Sequence, residues 1–182
     1  GNRAPLIVLR PTRTTFHECA HGRLASCPPI VRYLRLRIGW ESRGKSTVVG
    51  YKLMKISLIT PAKKHSKNGN RASALRWARF LRDAGHKVRI DGDYGDEPAD
   101  LMIALHAWRS AAAIDRYKAL YPKGPLIVAL GGTDVNSFLK TDPEVTLKSM
   151  EIADALVCLH DLIGNALPKH LRKKLPVIKQ SA

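Results

Sequence analysis

From Met54 onward, short apolar runs alternate with longer stretches of helical spacing, and no other feature restricts the possible folds as tightly. Lys55–Thr60, Lys87–Ile90, Asp100–Leu105, Pro125–Leu130, Ala155–Leu159 and Pro176–Lys179 have the length and composition of buried strands. Between them, Arg71–Ala84, Ala107–Tyr121 and Pro143–Ala153 read as helices, and Asp161–Leu167 as a helix or turn. In the first helix Ala74, Leu75, Ala78 and Leu81 form an apolar stripe flanked by Arg76, Arg79 and Arg82, and Gly85 suits the position just past its end. Strands apolar on both faces and separated by helices predict a parallel sheet covered on both sides. The fold expected for 54–182 is α/β, a Rossmann-like doubly wound domain.

Residues 1–53 have a different composition. They hold ten Lys and Arg against Glu18 and Glu41, so they carry half of the chain's net charge of +16. Pro5, Pro11, Pro28 and Pro29 interrupt them, and the strand-like run Val31–Ile38 has no evident pairing partner. This segment is expected to be an irregular basic extension outside the domain. His17, Cys19, His21 and Cys27 are metal-ligand types, but their spacing matches no paired zinc-knuckle pattern, so no metal is assigned. Gly39–Ser46 fits G-x-x-x-x-G-K-[ST], in which Lys45 and Ser46 would serve phosphate and Mg²⁺. The helix that must follow is not supported, because Thr47-Val48-Val49 is β-branched and Gly50 breaks it.

Three cysteines in 182 residues argue against a disulfide framework and for a reducing compartment, read as cytoplasmic. No apolar stretch approaches the ~20 residues of a membrane span. The sequence starts on Gly1 without a signal-peptide pattern and stops on a strand-like run, so both ends are expected to be cut.

In open α/β sheets ligands bind at the carboxyl ends of the strands. That rule selects the loops Pro61–Arg71, His106–Ser110, Gly131–Asn136 and His160–Asn165. Gly69, Asn70 and Arg71 enter a helix N-terminus, where free amides and the helix dipole suit an anion, and Lys67 adds charge. His106 closes a buried strand, from which it can act as a base or hydrogen-bond donor, or simply pack the strand end. Arg109 follows as a candidate phosphate ligand or a surface charge. Gly131 and Gly132 permit close backbone approach, and Thr133 and Asp134 then offer a hydroxyl and a carboxylate, for a substrate or for a helix cap. Trp77, Trp108 and Cys158 read as packing residues.

At these positions 54–182 resembles the N-terminal half of the glycosyltransferase-like selenosugar synthases of selenoneine biosynthesis, which are similar to family-4 glycosyltransferases of GT-B fold. The resemblance is carried by Lys55–Pro61, Gly69-Asn70-Arg71 with Ala74–Ala78, Leu105–Ser110, Ala129–Asp134 and Val177–Ala182, in that order. Residues 1–53 have no counterpart in it. The resemblance implies the acceptor-side domain of a two-domain enzyme that moves a sugar from a uridine-diphosphate (UDP) sugar to selenophosphate, with a new carbon–selenium bond. In the complete enzyme the strand-end residues His106, Thr133 and Asp134 are then expected to be catalytic, His106 mainly by positioning or hydrogen bonding, and Gly69, Asn70, Arg71, Arg109 and Gly132 to bind substrate. No cofactor is expected, the UDP-sugar being the donor substrate. The C-terminal donor domain is missing, so this stretch alone is expected to be inactive.

Two other readings compete. A nucleic-acid-binding protein accounts for the +16, but the strands lack an aromatic stacking platform and 54–182 interleaves 21 basic with 13 acidic residues. A phosphate-loop nucleotide-binding protein would rest on Gly39–Ser46.

Overall fold

The computed structural model describes residues 53–62, 69–158 and 162–175. Strands β1 (Lys55–Ile59), β2 (Lys87–Asp91), β3 (Leu101–Leu105), β4 (Leu126–Leu130) and β5 (Ala155–Cys158) form one sheet in the order β2-β1-β3-β4-β5. Every neighbouring pair is parallel, with Ile56 beside Val88 and Leu101, Ala104 beside Val128, and Ala129 beside Val157. The expected α/β architecture with a parallel sheet is therefore present. The run at Pro176–Lys179 lies outside the described residues, as do the zinc-type and phosphate-loop patterns of the first segment.

Alternation along each strand divides the core. Helix α1 (Gly69–Asp83) sets Ala74, Trp77, Ala78 and Leu81 against Ile56, Leu58, Leu101, Ile103 and Leu105 on one face. Helices α2 (Ala111–Leu120) and α4 (Pro143–Ile152) cover the other, where Ile114, Tyr117 and Met150 meet Met102, Ala104, Leu126, Val128 and Leu156. Both faces of β3 and β4 are buried throughout, which is why these strands read as unbroken apolar runs. Each fully buried aliphatic side chain here contributes roughly 1.5–3 kcal/mol.

Helix ends follow local chemistry. Helix α1 stops at Gly85, whose φ is 92°, with Gly85 N–H donating to Arg82 O (2.8 Å) and His86 N–H to Leu81 O (3.0 Å). A β-carbon at that φ would be strained, so the glycine is required. Helix α2 begins at Ala111, later than the expected Ala107. The alanines favour helix, but the buried Ser110 hydroxyl donates to Leu105 O (2.7 Å) and its N–H to His106 O (3.1 Å), which holds 106–110 as a turn. Helix α1 begins at Gly69, earlier than the expected Arg71.

Two connections shape what the edges of the sheet can do. Between β2 and β3 the chain crosses the sheet through residues 92–100 with no helix, although parallel crossovers usually carry one. After β4 it enters a π-helical turn (Asp134–Phe138) that runs directly into the short helix α3 (Leu139–Thr141). The chain then continues through α4 and β5 to helix α5 (Ile163–Ala166) and a final 3₁₀ turn (Leu171–Lys174).

Candidate functional site

The sheet order reverses direction at β1 and β3, and a crevice outside the carboxyl ends of those strands is where doubly wound sheets bind ligands. His106 stands at that end of β3. Its φ is 78°, a left-handed conformation that few residues other than glycine adopt, and its side chain is 2% exposed. A buried imidazole held in a disfavoured backbone conformation is overdetermined by its surroundings, a condition concentrated at functional sites.

Those surroundings come from the segment after β4. Asp134, fully buried, places Oδ1 2.7 Å from His106 Nδ1. The same oxygen accepts the Trp108 N–H at 3.0 Å, and Oδ2 accepts the Gly131 N–H at 2.8 Å. A carboxylate only accepts, and here both oxygens are supplied. On the far side of the ring, His106 Nε2 lies 2.8 Å from Thr133 Oγ1. The Arg109 N–H also points at Nδ1, at 3.2 Å. One nitrogen cannot donate and accept together. The shorter contact to a carboxylate is the stronger, so we assign the proton to Nδ1, which donates a hydrogen bond to Asp134. In the neutral ring Nε2 is then an acceptor and takes the Thr133 hydroxyl proton. The result is a continuous chain, carboxylate to imidazole to hydroxyl, that ends at an exposed threonine.

Thr133 and Asp134 were open to a capping role. Neither side chain caps the helical segment that follows, and Asp134 is committed to the turn above and the ring of His106. Gly131 and Gly132 have no positive φ. Their value is space. A β-carbon at Gly131 would face His106 Cδ2 at 3.5 Å, Asp134 Oδ2 at 3.6 Å and Thr133 Oγ1 at 3.9 Å, so the glycine leaves this cluster uncovered.

Trp77 packs between helix and sheet as expected, but Trp108 does not. Trp108 lies flat on Phe138, with centroids 4.1 Å apart and planes at 6°, and its Nε1–H donates to Asp142 at 2.6 Å. It is drawn away from the sheet because the turn at 106–110 projects it over the π-helical segment. Phe138 also meets the edge of His106 at 5.4 Å and carries the Arg109 guanidinium 5.8 Å from its centroid. Arg109 is exposed and is thereby held beside His106.

Gly69, Asn70 and Arg71 form the first turn of α1, which follows β1, the strand beside β3. They share the strand-end edge with His106, while 63–68 and 159–161 fall outside the described residues. Sequence reasoning reached His106, Arg109, Gly132, Thr133 and Asp134, and the structure gathers all five at one place. It missed Phe138 and Asp142, and it held Ser110 only as the end of a selected loop without a role. Among the described residues no three His, Cys, Asp or Glu side chains gather to hold a metal ion. Nor is any helix there long and apolar enough to cross a membrane. No protein-family model matches the sequence, and no curated protein matches it significantly.

Proposed function

We propose that 54–182 is the acceptor-side domain of a GT-B glycosyltransferase that transfers a sugar from a UDP-sugar to selenophosphate. The observation that carries this reading is the Asp134–His106–Thr133 chain at the strand ends, with His106 held in a left-handed backbone conformation. It stands where this class of sheet binds its ligands, and the residues forming it belong to the two stretches, Leu105–Ser110 and Ala129–Asp134, on which the resemblance to selenosugar synthases rests.

Selenophosphate is an anion with a soft selenium nucleophile, so the site has little need of a strong base. A selenium lone pair forms the bond to the anomeric carbon, the bond from that carbon to the UDP oxygen breaks, and UDP leaves with the electron pair. Asp134 fixes the tautomer and orientation of His106, and the ring then positions Thr133 or an acceptor oxygen that replaces it. Arg109, steadied on Phe138, and the first turn of α1 with Gly69, Asn70 and Arg71 supply positive charge and amides. Gly132 keeps the wall low. Catalysis is then largely alignment of two anionic ligands, for which a ~1 Å error can cost ~10²-fold. The nucleotide is held by the donor-side domain of the same enzyme.

Titration of the chain with selenophosphate under anaerobic conditions, followed by amide and histidine-ring NMR shifts, tests the acceptor site. Saturable shifts at His106, Arg109 and Thr133, weakened about tenfold by Arg109→Ala, are expected. Shifts confined to other parts of the sheet would overturn the assignment. With the donor-side domain supplied, a UDP-sugar and selenophosphate should yield UDP and a sugar joined through selenium to phosphate, from which hydrolysis of the selenium–phosphorus bond releases the selenosugar and inorganic phosphate.

A further inference from the structure

We infer that Asp142 is a positioning residue of the strand-end site, which orders Arg109 through Trp108 and Phe138. The identity of the ligand that Arg109 meets rests on the acceptor reading above; the geometry does not. Asp142 occupies the N-cap position of α4, with Pro143 at the helix start and Glu144 in its first turn. An aspartate so placed ordinarily accepts the backbone N–H of the second or third helical residue, and proline suits the first. Asp142 makes no such bond. Its Oδ2 instead accepts the indole N–H of Trp108 at 2.6 Å, from 34 positions away in the chain. A residue of the right type, in the right place to cap its own helix, is turned to the segment that follows β3.

The effect reaches the next residue. Trp108 is held twice, its backbone N–H by Asp134 Oδ1 at 3.0 Å and its indole by Asp142. The indole then lies on Phe138, with centroids 4.1 Å apart and planes at 6°. Phe138 in turn meets the ring of His106 at 5.4 Å and carries the Arg109 guanidinium 5.8 Å from its centroid. An exposed arginine samples many rotamers, and a ligand that orders it loses affinity to that entropy. A ring that holds the side chain beforehand lowers this cost. A ring face also leaves the charge in place, where a carboxylate would neutralise it. Satisfying a half-buried indole would by itself account for the bond to Asp142. It would not make the order of Arg109 depend on Asp142, and that dependence is what the inference claims.

The test uses the full chain and three variants. Asp142→Ser keeps a good N-cap but is too short to reach the indole. Asp142→Asn keeps an oxygen acceptor at the same reach. Phe138→Leu removes the ring face, keeps apolar bulk and does not touch the cap. Without ligand, the NMR order parameter of the Arg109 Nε–H should fall in Asp142→Ser and in Phe138→Leu toward that of an unanchored side chain, and should be retained in Asp142→Asn. With selenophosphate as the probe, Asp142→Ser and Phe138→Leu should each weaken binding by about threefold to tenfold, and Asp142→Asn should bind within about twofold of wild type. Adding Arg109→Ala to Asp142→Ser should cost much less than Arg109→Ala alone, as for residues that act through one another. An unchanged Arg109 order parameter in Asp142→Ser and Phe138→Leu, additive losses, or an Asp142→Asn as impaired as Asp142→Ser would overturn the inference. Wild type that binds no selenophosphate would overturn the acceptor reading instead, and the ligand-free order parameters would still decide the role of Asp142.

Discussion

The imidazole of His106 and the carboxylate of Asp134 meet at 2.7 Å, and neither side chain is more than 2% exposed. They follow two adjacent parallel strands, His106 directly after β3 and Asp134 in the π-helical turn after β4, so the sheet and that turn together set their separation. The pair determines which nitrogen of the ring faces Thr133. Asp134→Asn keeps the size but can donate as well as accept, and it permits the other tautomer. A positioning ring that turns or shifts misplaces what it holds, and an error of ~1 Å can cost ~10²-fold in kcat. On the proposed function we expect a fall of about that size, with the Michaelis constant for the sugar nucleotide little changed. Ring ¹⁵N shifts of His106 should report the changed tautomer. An unaltered tautomer would contradict the hydrogen-bond assignment.

Gly124 closes the turn before β4, and its place is set by close approach. A β-carbon there would fall 2.6 Å from the Tyr117 hydroxyl oxygen and 2.8 Å from Tyr121 Cβ. Tyr117 cannot retreat, since it is fully buried, packs edge-on against Tyr94 at 5.4 Å and donates its hydroxyl to Pro125 O at 3.2 Å. Gly124→Ala should therefore destabilise the domain by about 1–3 kcal/mol, the usual cost of overpacking, read as a lower urea midpoint with an unchanged slope.

Much of this was legible in the sequence because burial on both faces writes itself as unbroken apolar runs. Leu101–Leu105 and Leu126–Leu130 could be placed to the residue or nearly so, and the strand-end rule then pointed to His106 and to Gly132-Thr133-Asp134. The pairing of His106 with Asp134 was not legible, since a whole helix and strand separate them in the chain. The stretch Asp134–Thr141 has no clear apolar period, and only Asp134 and Val135 of its π-helical turn are buried. That concealed Phe138, and with it the true surroundings of Trp108. The helix-free crossover between β2 and β3 shows in the sequence only as a polar stretch with Asp91, Asp93, Asp96 and Glu97, which does not tell how it lies on the sheet. The boundary near Met54 and the role of the basic segment before it rest on composition alone.

His86 makes stability depend on pH. It is 4% exposed, its Nδ1 accepts the Met54 N–H at 3.3 Å, and burial lowers its pKa from 6.5 to about 4. The unfolded chain takes up a proton on this ring below pH 6.5, while the folded chain resists it until about 4. The contribution is therefore complete above 6.5 and is lost progressively as pH falls toward 4. Between pH 7 and 4.5 the wild type should lose more melting temperature than His86→Gln, whose side chain does not titrate. Parallel losses in the two proteins would show that His86 is not the group responsible.

Gly131 separates the needs of the fold from those of the ligand. It has no positive φ, so alanine meets no backbone strain. Its new methyl group would contact His106 Cδ2 at 3.5 Å, Asp134 Oδ2 at 3.6 Å and Thr133 Oγ1 at 3.9 Å, all ordinary distances. Stability should thus stay within about 0.5 kcal/mol of wild type, as for substitutions that neither strain nor overpack. The methyl would nevertheless stand over the cluster that the glycine leaves open. If acceptor atoms occupy that space, Gly131→Ala should weaken selenophosphate binding by about tenfold or more, a misfit worth ~1.4 kcal/mol. The measurement is a paired one, thermal melting and selenophosphate titration on the same preparation. Unchanged melting with weakened binding places the acceptor against His106 and Thr133. Unchanged melting with unchanged binding would move the acceptor site away from this wall.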